Sequence, residues 1–521
     1  MTAVASVTPE AGPGLLARDT TTARLRGGAL VLSVVAALVV VPIWASPVLV
    51  TTDGPSHMYN ALVADAVESG RLPYARYMEL NTDPTRPNQA AHALLVALGR
   101  TIGWETGERV VFTLAVVATL AALLALLARP GATALVALAP AAAWLTQTWF
   151  IWMGFYDFAL SLACYAALVL VLERAPTPRR RLLALGIFAA LYLTHFLTFA
   201  VGTGLALATA GWRALTRQGR WGELAVAGPA LALLLLELSA GGAGVSGAVT
   251  AADPGLGLLG LVMGDFVMSV HPLDAVGGAL IMAAVWFTLG SRLRAAQRDG
   301  LASVSGAEVF GLLLLVLSVV GPDQVGEGGF MAIRLRCLGA ITLLPSVAMA
   351  LRGVRAPALG VAAGAALAAL AAHGAFIVRD ARLVHRDLNV LETLFADGRV
   401  PEGAWLRTRF GAYRRAPYGI ARYSHIADRL AARRRLVVLD NYESYTRAFT
   451  VSWRGRPDWL TFRKSIEGLT VRMVPGDIPW PNVLYVLHEG DHRLQAADSR
   501  IEIGPTRIGG RFALTPVRRR P

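Results

Sequence analysis

Repeated apolar runs, each long enough to cross a lipid bilayer, constrain the fold of this chain more than any other feature. The hydrocarbon core of a bilayer is about 30 Å thick, and a helix of about 20 apolar residues crosses it. The chain has 521 residues, of which 55% are hydrophobic and 16% are charged. Runs of suitable length lie at residues 28–47, 109–128, 132–149, 154–172, 222–240, 272–290, 305–320, 330–351 and 356–378. They predict a mainly α-helical polytopic membrane protein.

Residues 182–212 form a longer apolar stretch with arginines at both ends. Arg179, Arg180 and Arg181 precede it, and Arg213 follows it. Because arginine-rich loops stay in the cytoplasm, both ends belong on that side of the membrane. The stretch is therefore predicted to be two short helices that turn near His195 at the outer tip, which brings the bundle to about 11 spans.

The short arginine clusters also predict the orientation of the bundle. With the N-terminus inside, the clusters all fall in cytoplasmic loops, as the positive-inside rule requires, at residues 129–131, 173–181, 213–221, 291–304 and 352–355. The tail 1–27 is then cytoplasmic, the first outer loop is 48–108, and the residues from 379 onward lie outside. This pattern accounts for the net charge of +14 without nucleic acid, which is not a predicted partner.

Two domains are predicted, a transmembrane domain at 28–378 and a small extracytoplasmic domain at 379–521. The second has short strand-like segments among turn residues, such as "RRLVVLD", "FTVSW" and "NVLYVLH", which favour mixed α/β structure. Both cysteines, Cys164 and Cys337, lie inside apolar runs and have no metal-ligand spacing. No metal site is predicted.

With this topology, ionisable and aromatic polar residues collect at the outer rim of the bundle. Such groups are costly near a membrane unless they are paired or face an aqueous cavity, so the rim is the candidate functional site. Its members are Asp53, His57, Tyr59, Tyr156, Asp157, His195, Asp265, His271, Asp274, Asp323, Glu327, Arg334 and Arg336.

Each candidate also has a purely structural interpretation. Asp53 could cap a helix that begins near Pro55, and Asp157 could interact with a helix dipole. His195 could be an interfacial turn residue, and His271 with Asp274 could form a cap before a span. Arginines near the end of a span often snorkel toward the interface, yet a pair such as Arg334 and Arg336 also suits an anionic lipid head group.

The chain resembles the GT-C superfamily of membrane glycosyltransferases, in an uncharacterised bacterial branch. The resemblance rests on "DGPSHMYNA" directly after the first span, on "GFYDFALSL" and on "GEGGFMAIRLR", and it covers most of residues 28–378. It implies a polyprenyl-phosphate sugar donor, an extracytoplasmic acceptor (a glycan, lipid or protein) and a location in the bacterial inner membrane. It also implies that the acid of the first loop, here Asp53, acts as catalytic base or orients the acceptor.

The remaining roles follow from the residues themselves. A lipid phosphate leaving group needs fixed cations, and Arg334 and Arg336 lie on the predicted outer side to supply them. His57 and His195 could assist either step. The first loop lacks an adjacent acidic pair, so a divalent cation is compatible with the chemistry but is not indicated.

Two other functions compete with this hypothesis. A transporter or flippase of a lipid-linked precursor would have comparable spans, although such proteins usually show repeats and broken helices that meet at the midplane. A non-catalytic membrane anchor for the outer domain would leave the rim residues replaceable.

Overall fold

The computed structural model describes most of the chain. The described residues are 14–71, 73–81, 86–128, 131–174, 177–216, 224–239, 249–251, 253–325, 329–396, 398, 400–409, 423, 425–441, 450–454, 466–467, 470–473, 483–496 and 499–520.

Helices make up most of these residues. In chain order they are α1 Gly14–Ala45, α2 Gly54–Glu68, α3 Tyr74–Tyr77, α4 Ala90–Ile102, α5 Trp104–Leu127, α6 Ala132–Thr146, α7 Trp149–Met153, α8 Tyr156–Leu172, α9 Pro178–Thr194, α10 Phe196–Leu215, α11 Leu224–Ser239, α12 Pro254–Met263, α13 Asp274–Asp299, α14 Gly306–Val320, α15 Met331–Ala350, α16 Ala356–Phe395 and α17 Ile426–Arg434.

The strands are short and lie mainly after α16. They are β1 Met78–Leu80, β2 Val249–Ala251, β3 Pro322–Val325, β4 Trp405–Arg409, β5 Val437–Val438, β6 Val451–Trp453, β7 Ile466–Glu467, β8 Thr470–Met473, β9 Leu484–Glu489, β10 Arg493–Ala496, β11 Ile501–Ile503, β12 Arg507–Gly509 and β13 Phe512–Arg519.

The predicted fold class, a polytopic helix bundle with a mixed α/β C-terminal domain, is confirmed. Among the described residues, 6 helical segments are long and apolar enough to cross a membrane, and shorter apolar helices such as α8, α11 and α14 lie beside them. Each predicted span overlaps a helix of the described chain, with a break at residues 147–148 inside the predicted span 132–149, and the chain is a multi-pass membrane protein.

The predicted helix pair in residues 182–212 is also present. α9 and α10 meet at His195, whose extended backbone (φ −159°, ψ 115°) interrupts the helix. The backbone N–H of Gln89 donates to the Leu193 carbonyl (2.9 Å), and the Asn88 side chain accepts from the Phe196 N–H (2.8 Å). These bonds place the turn at His195 against the segment 48–108, on the same side of the bundle.

Between α11 and α13 the chain makes a short helix, α12, and a 3-10 turn at Asp265–Val267, where the sequence had not defined the boundaries of a span. Gly264 joins the two with a positive φ of 64°. A Cβ at this position would lie 2.5 Å from the Gly278 carbonyl oxygen, so only glycine lets this turn pack closely on α13.

The C-terminal domain is built on a mixed sheet. Its strands follow the order β11-β13-β9-β4-β5, with β12 paired to β13. β4 is parallel to β5 and β9, while β13 is antiparallel to β9, β11 and β12. A smaller sheet has the order β10-β8-β7.

The predicted domain boundary at residue 379 falls inside α16. This helix has 40 residues and a length of about 60 Å, roughly twice the thickness of the hydrocarbon core. Its last turns contact the C-terminal domain, where the Arg507 side chain donates to the Leu394 carbonyl (3.1 Å). α16 thus connects the bundle and the domain as one continuous helix.

The C-terminal domain also packs on the segment 48–108. β1 pairs with β6, with Met78 opposite Trp453. Asn60 on α2 and Asn441 exchange two side-chain hydrogen bonds (3.0 and 2.7 Å). The predicted first outer loop and the C-terminal domain therefore lie on one side of the bundle; that this side is extracytoplasmic stays a prediction.

Candidate active site

Asp53 lies where the chain leaves α1 and enters α2. Its backbone N–H donates to the Met153 carbonyl (2.7 Å), and Pro55 begins the first turn of α2. Asp53 occupies the N-cap position, but its side chain makes no capping hydrogen bond. One carboxylate oxygen of Asp53 instead lies 3.4 Å from Nε2 of His425.

His425 reaches this site from the C-terminal domain, immediately before α17. Its Nδ1 lies 2.8 Å from the Asp428 carboxylate, so the imidazole is held between two acids. Burial alone lowers the pKa of His425, but hydrogen bonds and charge interactions with Asp428 and Asp53 outweigh burial and raise that pKa to about 10. At neutral pH the site contains an imidazolium between two carboxylates.

A buried ion pair fixes α17 in this position. Arg429 donates to Glu108 of α5 (2.8 Å) and to the Leu49 carbonyl (2.9 Å). Glu108 also accepts from the Tyr156 hydroxyl (2.9 Å). Because both charges are removed from water and have these additional partners, loss of either one leaves an uncompensated buried charge.

The α7–α8 turn is the platform on which the site rests. Gly154 has φ 87°, and a Cβ there would lie 2.3 Å from the Gly54 backbone nitrogen. The glycine therefore allows the turn to approach the start of α2. On α2 the His57 ring lies 5.9 Å from the Tyr156 ring, so His57 and Tyr156 border the same region as Asp53.

Arg334 lies over the other side of this turn. Its guanidinium carbon is 5.3 to 5.8 Å from the ring centroids of Phe150, Phe155 and Phe158. Its Nε is buried and has no hydrogen-bond partner among the described residues. Aromatic faces thus hold the cation while leaving hydrogen-bonding capacity for a ligand.

Arg336 has a different environment from Arg334. Its guanidinium forms two bonds with the Asp265 carboxylate (2.9 and 2.6 Å) and donates to the Ser318 carbonyl (3.2 Å). Arg336 is buried, and these contacts join α15 to α14 and to the 3-10 turn after α12.

Several other predicted site residues are engaged in holding the backbone. Asp157 accepts from the Ala91 N–H at the start of α4 (2.8 Å), and Asp323 accepts from the Ala332 N–H near the start of α15 (3.2 Å). Asp274 accepts from the N–H groups of residues 269, 270 and 271 and contacts His373 (2.8 Å). Asp274 caps the turn before α13, as its structural interpretation expects, whereas Asp157 and Asp323 bind N–H groups of α4 and α15.

The other predicted residues divide in the same way. Tyr59 is buried between α2 and the C-terminal domain, where its hydroxyl donates to the Leu436 carbonyl (2.9 Å) rather than lining an open cavity. His271 stacks on Phe376 at 3.7 Å. The Thr198 N–H donates to Nδ1 of His195 (3.4 Å), so His195 caps α10. Its ring centroid lies 5.1 Å from that of Phe158, which also contacts Arg334. Glu327 lies outside the described residues.

One group of side chains in the described part of the chain has metal-ligand geometry. Ligand atoms of Glu489, Asp491 and His492 lie within 4.8 Å of one another. They occupy the turn between β9 and β10 in the C-terminal domain, away from the strand and helix ends that carry Asp53 and His425.

Sequence reasoning missed His425, Asp428, Glu108 and Arg429. Glu108 carried a weak signal, since it is an acid at the very start of an apolar run. The pair His425 and Asp428 has i, i+3 spacing in "SHIADRL", but nothing local indicates that α17 meets a residue 372 positions earlier.

Two solved structures share this architecture over nearly the whole chain. They are crystal structures of ArnT from Cupriavidus metallidurans, one in the apo state and one bound to undecaprenyl phosphate. Both give a TM-score of 0.51, with 11% and 12% identity, and the match covers 94% of this chain and 97% of ArnT. The chain has an ArnT-like fold.

This likeness shows the fold alone, at a sequence identity too low to carry the activity with it. No family model matches the sequence, and no curated protein does. The activity is therefore argued from the site.

Proposed function

We propose that the chain is a membrane glycosyltransferase that moves a sugar from a polyprenyl-phosphate donor to an extracytoplasmic acceptor. The observation that carries this proposal is the arrangement around the α7–α8 turn, with Asp53 and His425 on one side and Arg334 on the other. A proton acceptor and a cation beside a shared platform are what transfer from a lipid phosphate requires. The ArnT-like fold supports it, since one of the ArnT structures holds undecaprenyl phosphate.

Asp53 is the proposed base or acceptor-orienting group. His425 holds one oxygen of its carboxylate, which leaves the other oxygen to accept the proton of the acceptor hydroxyl. Once Asp53 takes that proton, the positive charge of His425 remains paired with Asp428. Because there are two carboxylates, the site can gain a proton without leaving a buried charge unpaired.

Arg334 is the proposed partner of the lipid phosphate. A guanidinium presents a fork of N–H donors that matches phosphate oxygens, and three phenylalanine rings fix its plane. Arg336 was expected to share this role, but its guanidinium N–H groups already donate to the Asp265 carboxylate. In the proposal Arg336 holds α15 in register so that Arg334 faces the platform.

The remaining aromatic and imidazole groups at the platform fit the sugar. The His57 ring lies 5.9 Å from the ring of Tyr156, at the start of α8, and the proposal places the path of the transferred sugar beside His57. We place the protein in the bacterial inner membrane with the C-terminal domain outside, because polyprenyl-phosphate sugars are used there and the arginine clusters of the loops between spans are predicted to lie on the opposite side.

The proposal is tested by donor turnover. The purified protein, reconstituted in lipid nanodiscs, is incubated with a panel of polyprenyl-phosphate sugars and a cell-envelope lipid extract, and the released polyprenyl phosphate is measured. We expect release with one donor that depends on the extract and disappears in Asp53→Asn. Movement of an intact donor across proteoliposomes, without release of polyprenyl phosphate, would instead make the protein a transporter.

A further inference from the structure

A groove on the lipid-facing side of the bundle lies between α1 and α16. Its volume is about 540 Å³, and its walls include Leu38, Val41, Pro42 and Val378. The apolar segments of both helices are mostly exposed, with only 17% and 28% of their residues buried inside the protein. The groove therefore opens to the bilayer rather than into the helix bundle.

Small residues create this space. Gly374 allows α16 to touch α1, because a Cβ there would lie 2.7 Å from Cγ of Pro42. Alanines at 37, 371 and 375 line the groove beside this contact. The two helices thus pack closely at Gly374 and Pro42, and the small residues leave an apolar channel beside this contact that larger side chains would fill.

The end of the groove nearest the C-terminal domain is positively charged. Arg379 and Arg382 line it there, one helical turn apart. The Arg379 side chain is 66% exposed and lies 3.9 Å from the Asp380 carboxylate, beyond hydrogen-bonding distance. Within the described part of the chain, Arg382 has no ion-pair partner. Two guanidinium groups are thus available at the membrane interface, directly above an apolar channel.

We propose that this groove binds an anionic glycerophospholipid from the leaflet on the side of the C-terminal domain. An acyl chain would lie along Leu38, Val41 and Val378, and the phosphodiester would accept hydrogen bonds from Arg379 and Arg382. The charge of the groove selects an anionic head group over a zwitterionic one, since the two arginines would repel the ammonium group of a zwitterionic lipid.

The groove is separate from the proposed donor site. Arg334 lies on α15 against the α7–α8 turn, whereas the described residues that line the groove belong to α1 and α16. The proposal therefore stands whether or not the chain transfers a sugar. Because α1 leads directly to Asp53 and α16 leads to the C-terminal domain, a lipid here would stabilise the docking of that domain on the segment 48–108.

The test is lipid retention by the full-length protein. The protein is purified in detergent with equimolar phosphatidylglycerol and phosphatidylcholine, and the lipids that stay bound are counted by native mass spectrometry. We expect a preference for phosphatidylglycerol that falls about tenfold in Arg379→Gln/Arg382→Gln, as for loss of charge-assisted hydrogen bonds. Arg386→Gln, one turn farther along α16 and outside the groove, is the matched control and should retain the preference.

Two further variants test the apolar channel and the positive charge separately. Ala375→Trp should reduce retention of both lipids, because it fills the apolar channel and leaves the arginines in place. Arg379→Lys/Arg382→Lys keeps the charge and should keep most of the preference. Equal retention by the wild type and Arg379→Gln/Arg382→Gln would overturn the proposal, as would displacement of the bound phosphatidylglycerol by stoichiometric polyprenyl phosphate, which would assign the groove to the donor.

Discussion

At the scale of single residues, the environment of Asp53 separates a chemical role from a structural one. A capping aspartate would accept hydrogen bonds from the α2 N–H groups, but the Asp53 side chain makes no such bond and faces His425 instead. A carboxylate held by one oxygen, 13% exposed, keeps the other oxygen accessible to a substrate hydroxyl. That combination is what a base or acceptor-orienting group needs.

The first prediction compares two substitutions of Asp53. Asp53→Asn keeps the size of the side chain but removes the proton acceptor, so sugar transfer per folded molecule should fall roughly a hundredfold or more. Asp53→Ala should be equally inactive. Both should retain most of their folded yield in detergent, because no capping bond is lost and Asp428 still pairs with His425. If transfer followed protein abundance in both variants, Asp53 would be only a structural residue.

The second prediction concerns pH. The pKa of His425 is raised from its ordinary value of 6.5 to about 10 by Asp428 and Asp53, so the folded state holds this proton more tightly than the unfolded chain does. The resulting stabilisation is fully present below about pH 6.5 and is lost as the pH rises toward 10. In Asp428→Asn the pKa should fall, and the loss should begin at lower pH. Unfolding temperatures measured between pH 6 and pH 10 on both proteins check this, and coincident profiles would contradict it.

The third prediction uses the contrast between Arg334 and Arg336. Arg334→Lys should keep the fold and weaken donor binding about tenfold, because an ammonium cannot reproduce the forked contact with phosphate. Arg336→Lys should mainly reduce folded yield, because it breaks the paired bonds to Asp265 inside the protein. Binding of a fluorescent polyprenyl phosphate and size-exclusion yield separate the two effects. Unchanged donor binding by Arg334→Lys would remove Arg334 from the site.

At the scale of helices and turns, the α7–α8 turn determines whether the two halves of the site face each other. Its N-terminal side accepts backbone hydrogen bonds from Thr52 and Asp53 (3.1 and 2.7 Å), and its aromatic residues carry Arg334. A change in this turn should therefore affect the acceptor side and the donor side together.

The fourth prediction tests this turn. Gly154→Ala places a Cβ at positive φ and against the Gly54 nitrogen, which should cost about 1–3 kcal/mol of stability and reduce transfer. Gly186→Ala is the matched control, since a Cβ there meets nothing within 4 Å on helix α9. That variant should be neutral or slightly stabilising. Equal unfolding temperatures for the two variants would show that the turn is not under this constraint.

At the scale of the whole molecule, the sequence predicted what depends on hydropathy and missed what depends on long-range packing. Apolar runs located the helices, and arginine placement correctly divided 182–212 into α9 and α10. α16 continues as a helix through the predicted boundary at 379 after its residues become polar, a continuity that hydropathy cannot detect. His425 was missed because α17 is held in place by the buried pair of Arg429 with Glu108 of α5, a pairing with no local signature.

The last prediction concerns the side on which the site lies. The arginine clusters at 129–131, 173–181, 213–221, 291–304 and 352–355 are predicted to lie opposite the segment 48–108 and the C-terminal domain, so the positive-inside rule predicts that the side of that domain is extracytoplasmic. With Cys164 and Cys337 replaced by alanine, a membrane-impermeant maleimide applied to intact bacterial spheroplasts should label Glu79→Cys and Gln495→Cys, which are exposed in β1 and β10. Gln297→Cys, exposed near the end of α13, should be labelled only after lysis. The opposite pattern would place Asp53, His425 and Arg334 in the cytoplasm, where an extracytoplasmic acceptor cannot reach them.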